Sequence, residues 1–210
     1  MIKKLLDKIA SSVEDEQQIV LIDPNSLNAQ KPEPDMRIIG MFCDVAEDKV
    51  AEIIHAMLYL NEVNKLEKDP SARQPIDFYL STYGGSADDM FALYDIMRTI
   101  RQESEIRTLG LGKVMSAGVL LLAGGTKGKR RIAKNCRIMI HSVAAGNHGN
   151  LQDLTNELEA ISDLQDMYTR CLAAETNMTE ADIKEMLNRN VNVYLSATEA
   201  VKLGIADIII

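Results

Sequence analysis

The chain predicts an α/β fold on a largely parallel sheet, and three observations carry that expectation. Short apolar stretches with strand character recur at 37–42, 76–80, 106–111, 137–141 and 206–210. Segments whose apolar residues recur at helical spacing lie between them. Glycine turns and N-capping residues stand where strand passes into helix, and strand–helix alternation of this kind builds parallel sheets through helical crossovers.

Residues 1–35 are polar, with Pro32 and Pro34 near their end. They read as an N-terminal arm that packs weakly on one domain spanning 36–210. After the first strand, a helix over 46–61 carries Val50, Ile53, Ile54, Met57 and Leu60 on one face. A charged loop over 64–74 ends at Pro75, and the strand 76–80 leads into the Gly84-Gly85 turn. Ser86 suits an N-cap, with Asp89 three residues on near the positive end of the helix dipole. That helix runs to about Gln102 and buries Met90, Leu93, Met97 and Ile100. The strand 106–111 precedes a small-residue helix over 115–123. Lys127-Gly128-Lys129-Arg130-Arg131 reads as a solvated hairpin leading to the strand 137–141. Gly146 and Gly149 punctuate a loop. A long helix then carries Leu151, Leu154, Leu158, Ile161 and Leu164 to about Ala174. A shorter helix is capped at Thr179. Ser196-Ala197-Thr198-Glu199 forms a capping box, its helix ends at Gly204, and 206–210 is the last strand. No repeat with a period of about 20–50 residues stands out.

With 210 residues, 46% of them hydrophobic, the chain can bury a sizeable core. A formal net charge of −8, without a basic cluster interleaved with aromatics, argues against nonspecific nucleic-acid binding. No apolar run is long enough to span a bilayer. The start, Met1-Ile2-Lys3-Lys4-Leu5-Leu6-Asp7-Lys8, is charged too soon for a signal peptide, so a cytoplasmic location is expected. Cys43, Cys136 and Cys171 are scattered, as are the three histidines, and neither set has metal-ligand spacing. The cysteines read as reduced core residues, and no metal or cofactor is expected in the chain.

Two segments carry candidate chemistry. Gly112-Lys113-Val114-Met115-Ser116-Ala117-Gly118 and Met139-Ile140-His141-Ser142 place a serine and a histidine 25 residues apart, each at the end of an apolar stretch. A serine here can act as nucleophile and the histidine as its base. A helix start leaves N–H groups free, so Ala117 and, from the upstream turn, Gly85 can supply oxyanion donors. Val114 stands where the nucleophile elbow of α/β-hydrolases requires glycine, which excludes that family. A lone serine in a small-residue helix is usually a packing residue, and a strand-end histidine is usually structural. Order, spacing and sheet context lift the two together.

In these motifs the chain resembles the proteolytic subunit of the Clp protease (ClpP) family, from about Arg37 to the C-terminus. Phe78-Tyr79-Leu80-Ser81-Thr82-Tyr83-Gly84-Gly85-Ser86 is similar to the family's strand and glycine turn, with Tyr83 where proline is usual. Leu93 to Met97 resembles the next helix, and Gly112 to Gly118 the nucleophile segment. Arg137 to His141 resembles the base segment, and Tyr194 to Ala200 with Gly204 to Asp207 the C-terminal signature. The resemblance implies a ClpP/crotonase-like fold of repeated strand–helix units with a protruding handle helix after Gly149. It implies a serine endopeptidase with Ser116 as nucleophile and His141 as base. It also implies two stacked heptameric rings enclosing the active sites and fed by an ATP-using AAA+ Clp unfoldase.

The family's third triad member is an aspartate in an Arg-Asp pair. Here the stretch reads Asn188-Arg189-Asn190-Val191-Asn192-Val193-Tyr194. Counting forward from His141 puts Asn190 at that position; counting back from Tyr194 favours Asn192. An asparagine carbonyl can orient the ring but cannot stabilise the imidazolium with a full charge, and its amide can favour the wrong tautomer. The arm does not match the family's gating segment either. A second expectation is therefore a weak or silent ring subunit that co-assembles with an active host ClpP subunit. A coenzyme A-dependent hydratase or isomerase, which shares this kind of fold, is a minor third.

Overall fold

Four buried residues, Ile76, Phe78, Leu80 and Thr82, alternate with three less buried ones in the strand Ile76–Thr82, and this two-residue period organises the centre of the molecule. The computed structural model describes residues 36–146, 148–189 and 191–210. The N-terminal arm lies outside them, as does Asn190.

Among the described residues seven strands form one sheet: β1 (Ile38–Met41), β2 (Ile76–Thr82), β3 (Ile106–Met115), β4 (Arg131–Ile132), β5 (Arg137–Ile140), β6 (Val193–Leu195) and β7 (Ile208–Ile209). The main path runs β1-β2-β3-β4-β7, and every pair along it is parallel. β5 branches off, pairing parallel with the end of β3 and antiparallel with β6. The mixed α/β architecture with a largely parallel sheet is thus observed as the alternation of elements predicts.

The helices are α1 (Glu47–Leu66), α2 (Ala87–Ile100), α3 (Ala117–Ala123), α4 (Leu151–Glu175), α5 (Glu180–Asn188) and α6 (Ala197–Lys202). The predicted caps at Ser86, Thr179 and Ser196 all form, and the last two are reciprocal capping boxes. Every residue of α3 is buried, and its side chains join those of α1, α2 and β2 in a single core around Phe78, Leu80, Leu93, Tyr94 and Leu120.

Several expectations are corrected. α1 continues through Leu66, where a loop from residue 64 is expected. Its last turns carry buried Asn61 and Asn64, whose polar groups are satisfied by Ser104, Arg37 and the Gln74 carbonyl, so polar residues extend the packed face. β3 is ten residues long and reaches Met115 instead of stopping at Leu111. Gly112, at φ 61°, does not end the strand; it lies where β3 exchanges β4 for β5 as partner. The basic stretch before β4 is not a solvated hairpin, because β3 and β4 are parallel. Within it Arg130 is buried and grips Asp207 through Nε at 2.8 Å and a terminal nitrogen at 2.5 Å. Cys43 is exposed, so only Cys136 belongs to the fully buried core. On α4, Leu151, Leu154 and Leu158 are exposed, while Leu164 further along packs against the core.

Candidate active site

Parallel pairing brings the serine and histidine together. Met115 on β3 is in register with Met139 on β5, so both chains leave the sheet at the same level. Ser116 follows immediately, and its N–H donates to the Met139 carbonyl at 2.8 Å. His141 emerges two residues beyond Met139. Its Nε2 lies 2.9 Å from Ser116 Oγ, a normal hydrogen-bond distance. Crevices at the carboxyl ends of parallel strands are where α/β folds place ligands, because the chain there turns away into loops and helices.

Ser116 has φ 53° and ψ −124°, and it is the one non-glycine residue with positive φ among those described. Such a conformation costs on the order of 1–3 kcal/mol and persists only where surrounding structure enforces it. Here α3 starts at once, with the Val119 N–H donating to the Ser116 carbonyl at 3.0 Å, while β5 holds the N–H on the other side. The sharp turn lifts the hydroxyl off the end of the strand toward the imidazole.

The glycine turn backs onto this serine. A Cβ on Gly84 would lie 2.6 Å from Ser116 Cβ, so only glycine leaves room for it. Gly85 has φ 147°, and a Cβ there would come within 2.2 Å of the Val45 carbonyl oxygen. The bridge from Val45 is made by its neighbours: the Val45 N–H donates to Gly84 and the Ser86 N–H donates to Val45. That pattern leaves the Gly85 N–H out of the bridge. Ala117 is the first residue of α3, so its N–H has no acceptor within the helix. Gly85, Ala117, Ser116 and His141 all line one cleft of about 450 Å³. The arrangement can hold a carbonyl carbon at the hydroxyl and a developing oxyanion at backbone donors.

Among the described residues, nothing accepts a hydrogen bond from His141 Nδ1. Antiparallel pairing of Ile140 with Val193 puts Asn192 across from His141, one step beyond the last paired residues. Directly opposed residues in such a pair share a face. The Asn192 side chain is nevertheless exposed and makes no hydrogen bond to the ring. Asn190, the other candidate, lies outside the described residues.

Sequence reasoning misses the cleft's far wall. Tyr168 on α4 is buried against it, with its hydroxyl 3.5 Å from the Ser116 carbonyl. Burial pushes that phenol well above its usual range, so it stays neutral. The signal was present in the spacing Ile161, Leu164, Tyr168, which continues the apolar stripe of the long helix by a further turn. A larger cavity, about 630 Å³, lies beside Tyr94, Arg101 and Glu175 and contains no nucleophile–base pair. Burial pushes the Cys171 thiol at its wall up, away from the reactive thiolate.

The sequence model of the Clp protease family matches residues 33–210. The chain belongs to the Clp protease family. Members are in general serine peptidases that form rings working with Clp unfoldases, and the sheet and helices described above are consistent with their fold. No helix among the described residues is long and apolar enough to cross a membrane.

Proposed function

We propose that this Clp protease family chain is a serine endopeptidase subunit that cleaves unfolded polypeptides inside a ring chamber. The observation that carries the proposal is the 2.9 Å contact between His141 Nε2 and the hydroxyl of a strained Ser116. His141, with its proton on Nδ1, takes the Ser116 proton as the oxygen attacks the scissile carbonyl. The Gly85 and Ala117 N–H groups receive the oxyanion. The protonated imidazole then delivers its proton to the leaving amine, and water, activated by the same histidine, releases the acyl group. No metal or cofactor enters this scheme; ATP is consumed by a partner unfoldase of the AAA+ Clp type.

The third position belongs to an asparagine, at Asn190 or Asn192. An amide there orients His141 without charging it, which makes turnover slow beside an enzyme with aspartate. Assembly is into two stacked heptameric rings through α4, whose exposed Leu151, Leu154 and Leu158 form an apolar stripe. A cytoplasmic location fits this machinery.

Hydrolysis of a quenched fluorescent peptide by the assembled protein tests the proposal. Activity that disappears in Ser116→Ala supports it. Equal activity in both proteins, or none in either, rejects it.

A second reading is favoured by one observation, the asparagine at both candidate third positions, Asn190 and Asn192, where the family has aspartate. In it the chain is a weak or silent ring subunit that co-assembles with an active host ClpP and alters its gate or partners. Native mass spectrometry of the chain mixed with such a subunit separates the two. Mixed rings support the second reading, and separate assemblies count against it.

A further inference from the structure

We infer that the cleft beside Ser116 receives a lysine or arginine side chain of the substrate, with the aliphatic stem against apolar walls and the charged head on Glu157 and Asp88. The inference rests on the proposal that the cleft is a peptidase site, and it names the substrate class.

Two helices build the cleft with the same gradient. On α4, Glu157, Ile161, Leu164 and Tyr168 follow one another at spacings of four, three and four residues, so they share a face. Glu157 is half-buried and Tyr168 is buried, so that face runs from a carboxylate near the mouth to an aromatic wall inside. On α2, Asp88 and Phe91 stand three residues apart on one face; Asp88 is exposed and Phe91 is buried. Both helices thus set an acidic group outside an apolar one. Ala87, Ala117 and Ala144 line the remaining wall and leave width for a long side chain.

The charge of the cleft is one-sided. Among the described residues it is lined by two carboxylates and by no lysine or arginine. Neither Asp88 nor Glu157 has an ion-pair or hydrogen-bond partner among the described residues, whereas Asp77, Glu105, Glu175 and Asp207 are each paired with an arginine. Lys113 sits 4.4 Å over the ring of Tyr83, a cleft residue, rather than on either carboxylate. A lysine or arginine matches this surface, because its methylene stem covers apolar area while its head stays polar. An acidic side chain is repelled, and a purely apolar one leaves the carboxylates without a partner.

The test is binding to the Ser116→Ala full chain, which removes turnover from the comparison. Three fluorescein-labelled peptides differ at one position, carrying lysine, norleucine or glutamate; norleucine keeps the stem and lacks the charge. Fluorescence anisotropy is expected to rank lysine above norleucine by roughly two- to fivefold, the range of exposed ion pairs, with glutamate weakest. The lysine preference is expected to shrink at 1 M salt and to vanish in Glu157→Gln/Asp88→Asn. Glu157→Lys is expected to invert the ranking toward glutamate, a gain that an unfolded variant cannot produce. Equal or tighter binding of the norleucine peptide, no binding of the lysine peptide, or a preference that survives the double variant overturns the inference. A serine-reactive probe on the wild-type chain keeps the two claims apart: lysine preference without labelling of Ser116 rejects the peptidase reading and leaves this one standing.

Discussion

At the scale of residues, the site depends on what stands behind His141. Nε2 is engaged by Ser116, so ring orientation and the charge formed during attack fall to whatever faces Nδ1. The β5–β6 register puts Asn192 across from His141. Asn192→Asp is therefore expected to raise kcat/KM for peptide hydrolysis, by tenfold or more and at most by about 10⁴, the cost known for the reverse change in a serine protease. Asn190→Asp is the paired variant. A gain confined to it would move the third position two residues upstream, and a gain in neither would mean that the ring is oriented without a side chain from this stretch. The serine and histidine were legible as a spaced pair on two apolar segments. The strain at Ser116 was not, because a positive φ on serine has no signature in composition; it follows from β5 and α3 gripping the residue from both sides.

At the scale of elements, the glycine turn after β2 is the part least able to change. Gly85→Ala drives a methyl group to 2.2 Å from the Val45 carbonyl oxygen, while Gly128→Ala meets nothing within 4 Å although its φ is 82°. Gly85→Ala is expected to destabilise by at least about 2 kcal/mol, which lowers the melting temperature by roughly 4–8 °C, and to abolish peptide hydrolysis. Gly128→Ala carries only backbone strain, about 1 kcal/mol. Differential scanning calorimetry with a hydrolysis assay checks the ordering. Equal melting shifts would mean that the turn relaxes around the methyl group. The strand–helix alternation and the caps could be read from the chain because periodicity and capping chemistry are local. β6 could not: it is three residues long, and only pairing with β5 makes it a strand. The basic turn before β4 misled for the same reason, since the partner that buries Arg130 lies 77 residues away.

At the scale of the whole molecule, two partly buried ion pairs join distant parts of the chain, Arg130 before β4 with Asp207 after α6, and Arg101 after α2 with Glu175 at the end of α4. Burial pushes the Asp207 carboxyl up, but the Arg130 guanidinium and the N–H groups of Arg130 and Gly128 outweigh it and hold it below the usual carboxylate range. Burial likewise pushes Glu175 up, and Arg101 and Tyr94 outweigh it in the same direction. Both folded-state values are depressed. Their stabilisation is present above the unfolded values, about 3.9 for aspartate and 4.3 for glutamate, and is lost as pH falls through the lower folded ones. Urea unfolding is thus expected to show stability falling as pH drops below about 4.5. Arg130→Met is expected to cost about 3 kcal/mol at pH 7, because Asp207 keeps its charge without its partner. The same variant is expected to lose less on acidification than the parent. An equal acid loss in both proteins would remove Asp207 from the account.

The central claim is that Ser116 is a nucleophile activated by His141 in the assembled chain. Treatment with a fluorophosphonate, followed by peptide mapping in a mass spectrometer, tests it most directly. A single phosphonyl adduct on Ser116 is expected, absent from Ser116→Ala and reduced at least a hundredfold in rate in His141→Ala. An unmodified Ser116 in the assembled wild type, or labelling that proceeds as fast without His141, would contradict it.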